Sequence, residues 1–131
     1  MSEGRAVAVQ YWWSMGEQSL GSARRESDAK AFVFAVNRLY YAAFYAVSAL
    51  LLDRGLDFKK HSGVRASFHR ELVKTGEVEV EWGRFYDRLF DDRQEGDYLV
   101  LVVFESGYVK EQLERCGAFL MRIRPLVEAL S

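Results

Sequence analysis

The chain is short of the residues that staple or break a fold. It has one cysteine, Cys116, so it can close no internal disulfide, which fits a reducing compartment. Its one proline, Pro125, lies near the end and leaves long stretches open to helix formation. Ten scattered glycines exclude collagen-like and low-complexity classes. Charge of one sign is also missing. Eighteen basic residues stand against nineteen acidic ones, for a net charge of −1. That excludes a protein that coats nucleic acid by bulk charge, and leaves room for a local basic patch. The longest apolar run, from Ala42 to Leu52, is interrupted by Ser48 and is shorter than a bilayer crossing needs. The opening MSEGRAV lacks a basic head followed by an apolar segment, so no export signal and no membrane attachment are expected, and a cytoplasmic location is. No Gly-x-x-x-x-Gly-Lys-Ser/Thr or Gly-x-Gly-x-x-Gly cradle occurs, nor a His-Glu-x-x-His or a cysteine pair, so the expectation is no cofactor and no metal.

What is present is hydrophobic and helical in period. Half of the 131 residues are hydrophobic, enough to bury a core in one domain over residues 1–131. The spacing of Val9, Trp12, Trp13, Gly16, Leu20 and Ala23 predicts a first helix over Gly4 to Glu26, with Ser27-Asp28 as the cap of the next. A second helix is predicted over Asp28 to Arg54, apolar nearly all round and so central, with Gly55 as its stop. Ala35, Ala42 and Ala46 on it leave surfaces for close helix approach. A basic link, Lys59-Lys60-His61, leads to a third helix over Ser62 to Lys74. The fourth, Glu79 to Asp92, carries Trp82, Phe85, Tyr86, Leu89 and Phe90 on one face. The run Leu99 to Phe104 reads as an extended covered link. A last helix begins near Ser106, a candidate N-cap, and is kinked near its end by Pro125. The predicted fold class is all-α: an up-and-down antiparallel bundle of four long helices and one shorter helix.

Three places concentrate polar chemistry. Asn37, Tyr41 and Tyr45 share one stripe of the greasiest helix, where a buried amide or phenol must find a partner. They either tie the helix to its neighbours or line a polar pocket or dimer seam. The segment Asp91 to Tyr98 gathers a guanidinium, carboxylates and a phenol, with Gly96 permitting a sharp turn. In it Arg93 can clamp a phosphate, Asp97 can accept a proton or cap a helix, and Tyr98 can stack on a base or donate its hydroxyl. The plainer alternative is an Arg–Asp pair that steadies a turn. His61, beside Lys59 and Lys60, is either a phosphate contact or part of a solvated loop, and His69 reads as ordinary surface. Cys116 falls on the buried seam of the last helix and reads as a packed thiol, not a nucleophile.

The strings AVNRLYYAAFYAVSALLL, KKHSGVRASFHRELVKTG and RLFDDRQEGDY, followed by a long final helix, resemble a HEPN domain, the higher-eukaryote and prokaryote nucleotide-binding fold. The resemblance spans about Trp13 to Leu126. It implies an up-and-down helical bundle that pairs as a homodimer. It also implies one of two functions: partner of a minimal nucleotidyltransferase in a toxin–antitoxin-like module, or metal-independent ribonuclease using an Arg-x(4–6)-His motif. In the ribonucleases the arginine steadies charge on the phosphorane and the histidine moves a proton. Here the segment after Arg93 offers Asp97 and Tyr98 and no histidine, while Arg54 and His61 meet the spacing across a turn. The expectation is therefore binding of nucleotide or RNA rather than catalysis. Arg93 is the phosphate contact, oriented by Asp97; Tyr41 and Tyr98 line the pocket, Asn37 satisfies polar atoms across the seam, and His61 is an outer basic contact. Arg93, Asp97 and Tyr98 are the catalytic candidates should it cleave RNA. By the family's pattern Tyr98 is also the tyrosine a nucleotidyltransferase modifies. A purely structural helical adaptor is the third reading.

Overall fold

The computed structural model describes residues 2–98 and 102–131, with the backbone alone at Tyr98. Five α-helices follow one another: α1 (Glu3–Asp28), α2 (Phe32–Asp53), α3 (His61–Phe68), α4 (Val80–Tyr98) and α5 (Ser106–Ile123). No strand occurs among the described residues. A π-helical turn, His69–Val73, prolongs α3, and two 3-10 turns, Arg124–Leu126 and Glu128–Leu130, close the chain. Four long helices and one short one make the all-α bundle the periodicity predicts. Residues 99–101 of the expected extended link lie outside the described residues, and Val102 to Phe104 are irregular.

α2 is the central rod, in contact with α1, α3, α4 and α5. Leu39, Tyr40, Ala43, Val47 and Leu50 are sealed from solvent on it. Its 22 residues would suffice in length and composition to cross a bilayer, but 61% of the apolar window is buried inside the bundle. The Ala42 to Leu52 run is thus the core of the apolar helix the sequence predicts, and its surface is covered by other helices. α1 crosses it closely at Gly16, where an added Cβ would sit 3.1 Å from the Ala42 carbonyl oxygen and 3.4 Å from the Ala46 nitrogen. The second face of α2 is closed by Phe68, Leu72, Phe85, Tyr86, Leu89 and Phe119. Cys116 is fully buried, its thiol directed at the Leu39 carbonyl 3.7 Å away, and burial pushes that thiol up to about 12.

Several helix ends differ from expectation. Ser27-Asp28 does not cap α2. Ser27 is buried inside α1, which ends instead in a Schellman turn: Ala31 N–H donates to the Glu26 carbonyl at 2.8 Å and Lys30 N–H to that of Ser27 at 2.9 Å. Lys30 takes φ of 61° to make this turn. α2 therefore begins four residues later than predicted, with Ala31 at its N-cap and no side-chain cap. Its other end is the same motif with a glycine. Gly55 has φ of 81°, and Leu56 N–H reaches the Leu51 carbonyl at 2.8 Å. α5 includes Ser106 as its first residue, and the N-cap is Glu105, without a side-chain bond.

The main correction concerns α4. Sequence periodicity ends it at Asp92 and gives Gly96 a turn, whereas the helix runs on to Tyr98. Its last turns lack apolar residues but are held from outside. Gly96 allows the helix to lie against Phe104 and Val33, whose atoms are 3.4 and 3.5 Å from where a Cβ would be. Asp92 accepts a hydrogen bond from the Tyr108 hydroxyl of α5. His69 is also not free surface. Its Nε2 is 2.9 Å from the Asp87 carboxylate, which joins the π-helical turn to α4.

Candidate functional site: an arginine between two tyrosines

The extension of α4 carries Arg93 and Asp97, one helical turn apart, to the middle of α2. The Arg93 guanidinium lies 5.4 Å from the Tyr40 ring centroid and 5.5 Å from that of Tyr41, within cation–π range of both. Its Nη2 donates to the Tyr41 hydroxyl at 3.4 Å. The Asp97 carboxylate stands 2.9 Å from Arg93 Nε but off the direction of its N–H, so the contact is an ion pair rather than an aligned hydrogen bond. Asn37 Nδ2 approaches both Asp97 oxygens, at 3.4 and 3.5 Å. Arg38 completes the set: its Nε and Nη2 donate to Asn37 Oδ1 at 3.0 and 2.6 Å, and its guanidinium sits 4.9 Å from the Tyr41 ring centroid.

His61 joins from the start of α3. It does not hang in a basic loop; its ring stacks on Phe44 at 4.2 Å and lies edge-on to Tyr41. Its Nδ1 is 3.0 Å from the Tyr40 hydroxyl. Desolvation, then the nearby Arg93 charge, lowers the His61 pKa from its ordinary value, which favours the neutral ring. Burial raises the Tyr40 phenol to about 12, so that hydroxyl keeps its proton. Which of the two donates depends on the imidazole tautomer: with the ring proton on Nε2, the phenol donates to Nδ1. His61 is thus packed among aromatic rings beside the Arg93 cluster rather than solvated in the basic link.

Five of the candidates, Asn37, Tyr41, His61, Arg93 and Asp97, therefore share one locus. The side chain of Tyr98 lies outside the described residues. Arg54 does not join His61. It forms a two-pronged pair with Glu77, at 2.6 and 2.5 Å, on the link before α4. Sequence reasoning missed Arg38 and Tyr40, although both lie in the Asn-Arg-x-Tyr-Tyr string; their adjacency to Asn37 and Tyr41 was the available signal.

A pocket of about 410 Å³ opens beside this cluster. Tyr41 and His61 belong to both. Trp12, Phe44, Tyr45 and Phe58 supply the other aromatic walls, and Asp57, Lys59 and Ser48 the polar ones. Chemically, Arg93 is paired with the Asp97 carboxylate while Arg38 is bonded, among the described residues, only to the neutral Asn37 amide, which leaves these groups with one excess positive charge next to stacked aromatic rings. That combination suits an anion attached to a flat, apolar group.

Comparison with known proteins identifies the family. The family model for the HEPN domain matches residues 9–128. A "UPF0332 protein" of Thermotoga maritima is 48% identical over 122 residues, which cover 93% of this chain and 92% of that one. A Methanocaldococcus jannaschii protein named "Putative toxin" is 33% identical over 108 residues, or 82% of this chain and 74% of its own. A second protein of that organism with the same designation is 34% identical over 90 residues, covering 69% and 67%. By the extent of the family match and the identity to these relatives, the chain belongs to the HEPN domain family.

Proposed function

We propose that this chain is the toxin-like member of a paired module, a homodimer that holds an RNA or nucleotide phosphate at Arg93 and acts with a minimal nucleotidyltransferase. The observation that carries this reading is the setting of Arg93. Its guanidinium lies against Tyr40 and against Tyr41, a ring that Arg38 also approaches and that lines an aromatic pocket, with one carboxylate, Asp97, as counter-charge. A structural ion pair needs neither the second arginine nor the pocket. The names of the two archaeal relatives support the toxin-like part.

Binding of a labelled single-stranded RNA, followed by fluorescence anisotropy across a salt series, tests the phosphate contact. Arg93→Ala should weaken all sequences alike and reduce the salt slope by about one. Unchanged affinity and slope would reject the assignment. Sedimentation of the purified chain tests pairing, and co-purification with a nucleotidyltransferase from the native host tests the module.

One observation favours a second reading, metal-independent RNA cleavage. His61 and Arg93 both pack against Tyr40 and Tyr41, so a histidine and an arginine flank the same two rings although no histidine follows Arg93 in the sequence. On this reading Arg93→Ala and His61→Ala both abolish cleavage that persists in chelator. Intact RNA after prolonged incubation with wild type removes it.

A further inference from the structure

Resting on the RNA-binding reading above, the pocket beside Arg93 has features that select among bases. Trp12 of α1 and Tyr45 of α2 stack on one another at 5.5 Å and 25° between planes, and Tyr41 tilts against Tyr45 at 5.7 Å. These rings, with Phe44 and Phe58, give walls for a planar ligand, and about 410 Å³ is the size of a small-molecule site. The polar groups are few and unequal. Asp57 presents two acceptor oxygens and no donor, and Lys59 presents donors only. The Ser48 hydroxyl is buried and has no hydrogen-bond partner. Both charged groups come from the irregular link between α2 and α3, so their chemistry is independent of the Arg93 cluster.

We propose that this pocket receives one unpaired guanine of a single-stranded RNA, stacked on the Trp12–Tyr45 pair, with its Watson–Crick edge toward Asp57 and its phosphate toward Arg93. Guanine places two parallel donors, N1–H and the N2 amino group, beside an acceptor, O6. A carboxylate takes the two donors and an ammonium takes O6, as Asp57 and Lys59 allow. Adenine and cytosine offer a single amino group there. Uracil offers one N–H flanked by two carbonyls, which a carboxylate repels. The Asp57 charge also keeps phosphate from that end and directs it to the arginines.

The test compares UUGU with UUUU, as tetraribonucleotides, by isothermal titration calorimetry on the full-length chain. Wild type should bind UUGU about tenfold more tightly. Asp57→Asn should erase that preference, by weakening UUGU binding and relieving the repulsion of UUUU. Trp12→Ala should lower affinity for UUGU about tenfold, within the worth of one stacked base, and Trp12→Phe should restore most of it. Equal binding of the two oligonucleotides by wild type, or a preference that survives Asp57→Asn, overturns the proposal. Asp57 lies in an exposed link, so its variant decides the matter even if Trp12→Ala fails to fold. Arg93→Ala separates the two claims. Loss of affinity for both oligonucleotides with the guanine preference absent in wild type refutes the base pocket alone. No effect of Arg93→Ala refutes the phosphate contact alone.

Discussion

The hydroxyl of Tyr40 on α2 lies 3.0 Å from Nδ1 of His61 on α3, and burial works on both groups, lowering the imidazole pKa and raising that of the phenol. It also joins the aromatic pocket to the arginine cluster, because Tyr40 packs on Arg93 and His61 lines the pocket. A neutral His61 has a consequence for stability. Its folded pKa is below the ordinary 6.5, so between the two values the unfolded chain binds the proton that the folded chain refuses. The contribution is full above pH 6.5 and is lost as pH falls through the lower, folded value. Urea melts of wild type and His61→Gln at several pH values between 5 and 7.5 check this: the wild-type chain should weaken more steeply toward acid. Two-dimensional NMR of the imidazole reads its tautomer, and Arg93→Ala should move the titration upward.

Lys30 adopts a left-handed backbone, φ of 61°, to close the Schellman turn after α1. Gly55 does the same after α2, at φ of 81°, without a Cβ to crowd the carbonyl. Replacing Lys30 by glycine removes about 1 kcal/mol of strain. The melting temperature should rise by about 4 °C, measured by circular dichroism.

The α1–α2 crossing depends on a missing side chain. A Cβ at Gly16 already comes within 3.1 Å of the Ala42 backbone oxygen, which cannot rotate away. Gly16→Val should separate the two helices and cost about 2–3 kcal/mol, read from the denaturation midpoint. Since Trp12 lies one turn earlier on the same helix, the same variant should also disturb the pocket.

Asp53, at the last turn of α2, accepts from the backbone N–H groups of Glu128 and Ala129, at 2.8 and 3.1 Å. It therefore holds the final 3-10 turn on the bundle, and it is itself buried. Asp53→Ala leaves those donors without their partner and should cost about 2 kcal/mol. Limited proteolysis should then release the last residues before any other part of the chain.

Helix number, the central place of α2, the Gly55 stop and the buried seam through Cys116 were all legible in the sequence. Each follows from local periodicity or from one residue's own conformational preference. The errors cluster where that local signal ends. After Phe90 the apolar period stops, and nothing near Arg93 in sequence says that the helix goes on. The groups that sustain it, Tyr41, Phe104 and Tyr108, come from other elements; Tyr41 alone is 52 positions away. Likewise His61 looks solvated beside two lysines until α3 folds back and lays its ring on Phe44.

Composition and hydrophobic spacing by themselves determined an all-α bundle and named the polar residues worth watching, because a helix advertises its buried face at every third or fourth position. Only tertiary structure decided that Asn37, Tyr41, His61, Arg93 and Asp97 share one locus, that Arg38 and Tyr40 belong with them, and that an aromatic pocket adjoins it. Those relationships join groups on α1, α2, α3 and α4, and the distance between side chains on different helices is set by how the helices pack, which no single segment encodes.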